Sequence, residues 1–531
     1  MGSKQVVDQQ AGFSGGLNSV TDPAFLGPDQ ARQLANFRLT NYGAALKRMG
    51  TQLTNTSAIT TFDAQGVIYS DPPGVTGSVC SGVYWPFADQ IYLFAAATNS
   101  TAVHAWMTTY GSFPRTWTDL GATTGQFRPV IFTDVTHSEA MYVAGDQTNK
   151  VTKILTDGTV SSLTTSTAAC VGLTVYNDRL WGWGAVGFGN YLYYSQLSST
   201  AGSTGGDSLG LLTAGGGTII VRTFSASAIR ACVPVNGSLL IFHDRGISVL
   251  TGWGQDDTQV QPQALNATIG MGDATPDGVC VGNETTTGDL AFFITPVGLY
   301  VTNGGFVRPV GTPEKPDPLG PLLIAGTITP GDCYLRFNLQ YNEVWVQVTG
   351  IGIYVYSMIL ASWSGPFSGA YASGFRALWN VEDSTTGSNH LWRASFSGAG
   401  RTGVFVEECD RAATYKDSVT AAGTGGTAVT ATLQLHRCFA GDRVFSKSWR
   451  WVNLLATLTS GATPPVMTCT ANINSASNTQ TLSGLTSVEQ PYYISPGGVG
   501  PFLDVVVSDP GSTGTSSYAL ATIQGNFLGQ R

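Results

Sequence analysis

The sequence predicts an all-β protein: a β-propeller of about seven blades with an N-terminal clamp segment and a C-terminal β-sandwich. Three observations carry this. Charged residues make up only 11 % of the 531-residue chain and glycines number 66, a composition short of exposed helix formers and rich in turn formers. One local pattern, a turn of Asn, Asp, Ser or Gly, then an aliphatic, then usually an aromatic residue, returns seven times between residues 76 and 412. After Cys409-Asp410 the texture changes to longer runs that alternate with the two-residue period of half-buried strands.

The aliphatic anchors of the repeat are Ile91, Met141, Leu180, Leu239, Leu290, Val344 and Leu391. They recur roughly every 50 residues, the period of kelch-like blades. An apolar run precedes most anchors, and a Gly-led strand follows several, as in Gly246–Leu250 and Gly352–Tyr356. Three to four short strands per unit is the propeller arrangement. Hairpins of β-sandwich domains share this texture, but the constancy of the period favours a propeller over residues 76–412. The stretch Ser198–Thr218 reads as a loop insertion between the third and fourth units, and Glu314–Pro318 as a protruding loop. Beyond a Gly/Thr-rich joint at 421–427, alternating runs at 428–435, 450–458, 465–471, 502–507 and 518–523 predict a separate sandwich within 413–531.

The net charge is −8 and no basic run stands out, which disfavours sequence-driven binding to nucleic acid. The first residues lack the apolar core of a secretory signal, and no stretch approaches the length of a membrane span. The eight cysteines are single, without Cys-x-x-Cys, which points to reduced thiols in a cytosol-assembled protein. His436-Arg437-Cys438 has no second ligand pair to complete a zinc site.

Glycoside hydrolysis on a propeller would need two carboxylates flanking a cavity. The candidates Asp134, Asp244, Glu284, Glu382-Asp383 and Glu407-Glu408 all sit among turn or strand-edge residues, where capping is the ordinary role. Thr156-Asp157-Gly158-Thr159-Val160 is a fragment of a sialidase-like box and reads as a type I′ hairpin. His243-Asp244-Arg245-Gly246 reads as a hairpin tip in the fourth blade. No Gly-x-Ser-x-Gly elbow in a strand-turn-helix setting and no Walker loop occurs. The expectation is therefore a chain that is not an enzyme, with no catalytic residue, no cofactor and no metal.

From Gly12 to Thr51 the chain reads GFSGGLNSVTDPAFLGPDQARQLANFRLTNYGAALKRMGT. It holds a Gly15-Gly16 turn, an Asp22-Pro23 step and a helix opened by Pro28-Asp29-Gln30, with Leu34, Ala35 and Phe37 as its apolar face. Asn41-Tyr42-Gly43 then ends the helix, and Lys47-Arg48 follows. This order resembles the N-terminal segment of the tail nozzle proteins (tail tubular protein B) of short-tailed bacteriophages. A weaker similarity to the same proteins lies in the basic-aromatic step Gly441–Arg450, which leads into the terminal sandwich.

The resemblance implies a structural virion protein assembled in the host cytoplasm. It would self-associate into a ring, a hexamer, below the head–tail adaptor, with tail fibre proteins as neighbours. Genomic DNA would pass through its channel without sequence recognition, and a neutral or acidic lumen would suit that passage. By the same resemblance Gly15, Gly16, Asp22, Pro23, Arg38, Lys47 and Arg48 within residues 1–75 would dock neighbouring copies or the adaptor. These residues would equally serve to clamp the propeller within one chain. The alternative reading is a receptor- or carbohydrate-binding propeller of the tail tip.

Overall fold

In the computed structural model the described residues are 5–10, 12–22, 25–49, 52–53 and most of 81–527. The longer stretches left out of that span are 97–102, 110–116, 124–128, 145–150, 164–168, 198–206, 211–215, 223–226, 253–261, 369–377, 397–403, 410–415, 418–426, 440–446, 459–464, 472–476, 483–489 and 511–515. Short antiparallel strands dominate, and the one α-helix recorded among the described residues is Leu319–Ile324.

Six four-stranded antiparallel meanders and a three-stranded seventh follow one another from residue 81 to residue 408. Each begins with an inner strand: Ser81–Trp85, Val130–Thr133, Gly172–Tyr176, Ile229–Val235, Val279–Glu284, Cys333–Asn338 and Leu378–Glu382 for blades one to seven. The last inner strand packs against the first, which closes the ring. Blade seven takes its fourth strand, Gln52–Leu53, from upstream of the whole propeller, with Glu407 opposite Leu53. A closed ring leaves few free sheet edges, which suits a chain so rich in Gly, Ser and Thr.

The seven anchors lie on the second strand of their blades, and all are buried. Six of them lie in apolar clusters that straddle blade boundaries, as with Met141 beside Trp85, Tyr92 and Phe94. The polar residue that opens the repeat has its own task. Asp89, Asn177, Asn236 and Asn342 all sit in the turn after the first strand with φ between 46° and 55°, a left-handed conformation that Asn and Asp tolerate best after Gly. From that turn Asn177 Nδ2 donates to Gly252 O at 2.9 Å. Asn236 Nδ2 donates to Asn303 O at 3.2 Å, and its Oδ1 accepts from Asp289 N at 3.0 Å. The turn residue of blades three and four thus latches onto the next blade.

Several local readings are corrected by the structure. The stretch from 198 to 218 does not separate blades three and four. It joins the last two strands of blade three, Phe188–Tyr194 and Gly217–Ile220. Within it, buried Asp207 accepts from Tyr142 and Lys153 of blade two, at 2.8 and 2.9 Å. The segment 314–318 is pinned rather than protruding: Lys315 Nζ donates to Ser14 O and Leu360 O, and Asp317 accepts from the Leu299 and Leu319 amides. At residues 155–159 only Gly158 takes a positive φ, so the turn is not type I′, which needs two such residues.

The two ends of the chain form the second body together. One sheet runs Phe37–Leu39, Ala45–Lys47, Ser516–Phe527, Lys447–Leu458 and Gln490–Ile494, with Gln5–Gln10 added on Ser516–Phe527. The other runs Gln30–Ala35, Ala431–Leu435, Leu503–Asp509, Val466–Ala471 and Ser477–Thr481. Through Leu34 opposite Gly365 it continues into the outer strand of blade six, Ser362–Phe367. One apolar core therefore runs from blades four to six into the sandwich.

The expected helix at Pro28–Phe37 is not formed. Residues 30–35 are a strand, because Ala31 and Leu34 are covered by Leu435 and Leu433 across the ladder. Long-range pairing overrides a local sequence of good helix formers. At its end Asn36 (φ 58°) turns the chain, accepting from Ser368 N and Arg48 Nε and donating to Thr430 O.

Candidate functional site: the groove between the N-terminal hairpin and blade six

Phe37–Leu39 and Ala45–Lys47 form a hairpin whose tip is Asn41-Tyr42-Gly43. Between this hairpin and blade six lies a cavity of about 820 Å³, walled on the other side by residues 339–343 and Ile359. Its rim is apolar and open. Tyr42 is 98 % exposed, and Met49, Leu339 and Ile359 are each exposed by a third to a half of their surface. The floor is charged but internally matched. Arg38 pairs with Glu343 at 3.0 Å and lies 3.7 Å above the Tyr341 ring, and Glu343 also accepts from Trp345 Nε1 at 2.9 Å.

Three of the residues singled out in the sequence, Arg38, Lys47 and Arg48, meet in this groove. All three are buried and spend their donors inside the chain. Lys47 Nζ lies 2.8 Å from Asp509 Oδ1. Burial pulls the lysine pKa below its ordinary value, against the opposing pull of Asp509. Arg48 donates to Asn36 Oδ1 at 2.9 Å and to Ser368 O at 3.0 Å. The cations thus tie the N-terminal segment to blade six and to the sandwich, which is the clamping role.

Gly15 and Gly16 lie elsewhere. Gly16 (φ 72°) abuts the backbone of Trp363, where a Cβ would come within 2.6 Å of its carbonyl oxygen. Asp22 is exposed in the following loop, and Pro23 lies outside the described residues. The rim residues Tyr42, Leu339 and Ile359 were not singled out. Tyr42 carried one usable signal, an aromatic side chain at the tip of a tight turn.

Of the carboxylates weighed in the sequence, Asp134, Asp244, Glu407 and Glu408 are engaged by other side chains of the same chain. Asp134 and Asp207 flank Lys153 at 3.1 and 2.9 Å. Glu407 accepts from Arg393 Nε at 2.9 Å, and Glu408 lies 3.0 Å from His390 Nδ1. Asp244 accepts from Ser227 Oγ. Glu382 is exposed, and the side chain of Glu284 lies outside the described residues. His243 is buried at the end of its strand with Nε2 3.0 Å from Ser248 Oγ, and burial pushes its pKa down to about 4. Seven of the cysteines are described, all buried and unbridged. No group of three His, Cys, Asp or Glu among the described residues could hold a metal ion, and no helix there is long and apolar enough to cross a membrane.

No family model matches the chain, and no curated protein matches it. Solved structures do. The Pan2 WD40 domain of Neurospora crassa is 8 % identical with a TM-score of 0.37, over 70 % of this chain and 98 % of that one. The Cps50 (Swd1) β-propeller domain of Myceliophteria thermophila is 9 % identical with a TM-score of 0.37, over 64 % and 97 %. An exo-β-1,3-galactanase from Phanerochaete chrysosporium, with β-1,3-galactotriose, is 11 % identical with a TM-score of 0.28, over 86 % and 98 %. The expectation that the chain is not an enzyme is corrected at this point. A glycoside hydrolase stands among its structural neighbours, so lack of activity is not retained as a property of this protein. Likeness at this level assigns no reaction to it either.

Proposed function

We propose that this chain is a structural protein of a short-tailed phage virion, a ring-forming nozzle component whose copies enclose the DNA ejection channel on their shared axis. The observation that supports the reading most is the knitting of both chain ends into one sandwich continuous with blade six. It makes the N-terminal segment the fastener between the sandwich and blade six, so that force on one is passed to the other. The inner strands of the propeller leave only a cavity of about 320 Å³, lined by Trp379, Arg336 and Phe337 among others, so the conduit in this reading runs between copies and not through a blade ring.

A cyclic ring needs two different complementary patches per copy. The groove offers one, on the face that carries the Leu339 and Ile359 turns of blade six. Val297, in a turn at the opposite ends of the strands of blade five, and Ile324, 71 % exposed on the adjoining helix, offer the other. Native mass spectrometry and imaging of the full chain test this. Closed hexameric rings are expected, and Ile359→Asp should yield monomers with an unchanged melting transition. Monomers of the unaltered chain at its highest soluble concentration overturn the ring. A second reading, a carbohydrate-binding propeller of the tail tip, is favoured by one observation, the polar-aromatic cavity among the propeller's inner strands.

A further inference from the structure

We propose that Ser388, His390 and Glu408 form a nucleophilic site that hydrolyses carboxylic esters. The inference does not depend on ring formation. The three come from one corner of blade seven: the turn that opens its second strand, Asn389–Phe396, and the end of its third, Val404–Glu408. Side chains alternate along a strand, so Ser388, His390 and Trp392 share one face, and Glu408, opposite Trp392, joins them there. Ser388 Oγ lies 2.9 Å from His390 Nε2, and His390 Nδ1 lies 3.0 Å from Glu408 Oε1. Two other histidines have one half of this arrangement. His104 has a carboxylate, Asp119, and His243 has a hydroxyl, Ser248, at a place where both residues are fully buried. His390 holds both, one on each ring nitrogen. Such a constellation is recognised by its geometry, whatever its order in the chain.

The site opens at the turn. Thr386 and Gly387 are exposed and Ser388 is half-buried. The His390 side chain keeps 19 % of its surface, whereas that of Glu408 keeps 1 %. A Cβ on Gly387 would meet nothing within 4 Å, so a substrate has room beside the hydroxyl. The turn itself is fixed, with Gly387 N donating to Asp383 O at 2.7 Å and Asp383 N to Ser388 O at 2.8 Å. A proton on Nδ1, turned to the Glu408 carboxylate, leaves Nε2 to accept the serine proton. Ser388 Oγ then adds to the ester carbonyl carbon as its proton passes to Nε2. The Thr386 hydroxyl, 2.7 Å from Ser388 Oγ, donates to the oxygen that takes up the charge. Collapse expels the alkoxide, which takes the proton from Nε2 and leaves an acyl-serine. Water adds to that acyl group by the same route, releasing the acid and returning the proton to Ser388. An ester asks less of the Thr386 hydroxyl than an amide does, because an alkoxide leaves more readily than an amine anion.

The test treats the full chain with diisopropyl fluorophosphate, locates the adduct by peptide mass spectrometry, and follows hydrolysis of p-nitrophenyl acetate. A phosphoryl adduct on Ser388 and saturable hydrolysis blocked by that adduct are expected. Ser388→Ala lies on an open turn, so it should keep the melting transition while it abolishes the adduct and lowers kcat about a hundredfold or more. Glu408 acts through the imidazole as a positioning residue. Glu408→Gln should therefore lower kcat about tenfold or more at nearly constant KM, with its melting transition recorded alongside. The proposal is overturned if Ser388 stays unlabelled, if Ser388→Ala hydrolyses the ester like the unaltered chain, or if Glu408→Gln leaves kcat unchanged. Repeating the labelling on Ile359→Asp separates the outcomes: an adduct on Ser388 of a monomer supports the site whatever becomes of the ring.

Discussion

The propeller and the sandwich are both antiparallel β, yet they differ in how far along the chain their partners lie. Blade five is complete within residues 279–309 and blade six within 333–367. In the sandwich, Gln5 pairs with Asn526 and Ala31 with Leu435. Local meanders form early because little loop entropy opposes them, whereas the sandwich sheets must wait for distant segments. The cohesive forces differ as well. Blades are held by apolar anchors and by side chains reaching the next blade's carbonyls. The seam of the sandwich is held by buried charge pairs, Lys47 with Asp509 and Arg38 with Glu343. The propeller is thus tolerant at its surface, and the sandwich is vulnerable at a few named contacts.

The largest expected effect lies in a blade interior. Leu290→Asp puts a carboxylate among Phe292, Ile294 and Leu299 in a core shared with the sandwich, a burial that costs more than about 4 kcal/mol. Loss of soluble, β-rich protein by circular dichroism is expected. A variant that loses blade five alone would show that the blades are independent. Next comes the seam. Lys47→Ala strands Asp509 in a buried site, at about 3–5 kcal/mol. Limited proteolysis should then release fragments of 427–527 while blades one to four stay protected. Lys47→Met with Asp509→Leu should recover most of the loss, because an apolar pair of similar volume replaces a buried ion pair at little cost.

The third effect is pH dependence. His243, with its folded pKa down at about 4, is neutral in blade four where the unfolded residue would gain a proton. Between the unfolded value and about 4 the unfolded state binds more protons, so stability falls as pH falls. The contribution, on the order of 3 kcal/mol, is complete above the unfolded pKa and lost once the pH has dropped through about 4. Thermal melts of the unaltered chain and His243→Phe should show that difference. Asp317, pushed up to about 6 by burial, acts with the opposite sign, because the folded state there holds the extra proton and stability falls as pH rises through that value. The smallest effect is a surface latch. Asn236→Gly keeps the left-handed turn but removes the bonds to Asp289 and Asn303, a loss of about 1 kcal/mol, readable in the denaturant midpoint.

The same contrast explains what the sequence made legible. The anchors could be found because each blade writes its turn, aliphatic and aromatic residues within one short window, and all seven proved buried. The closing strand Gln52–Leu53 could not, since two residues carry no period and their partner Glu407 lies in the last blade. The misread helix fails for a related reason. Gln30, Arg32 and Gln33 look like an exposed helical face, but Gln30 Oε1 accepts from Asn18 and Gly27, and Arg32 donates to Ser19 O and Thr21 O. Those side chains fasten a loop beside a strand. The cluster Arg38, Lys47 and Arg48 was visible as three cations on an acidic chain. Its role was not, because Asp509 stands 462 residues from Lys47. The groove's rim depends on Leu339 and Ile359, which became partners of Tyr42 only through folding.

The pairing of Gln5–Gln10 with Ser516–Phe527 also sets a clock. A ribosome adding roughly 5–20 residues per second needs about half a minute to two minutes between the first of those strands and the last. Throughout that interval the N-terminal strand has no partner from its own chain, while up to seven meanders assemble behind it. Its sequence, Gln-Val-Val-Asp-Gln-Gln, is suited to the delay, because one Asp and three Gln leave little apolar surface for a neighbouring nascent chain to capture. Polysomes, where sibling chains wait side by side, are the setting in which a more apolar version of this strand would first misassemble.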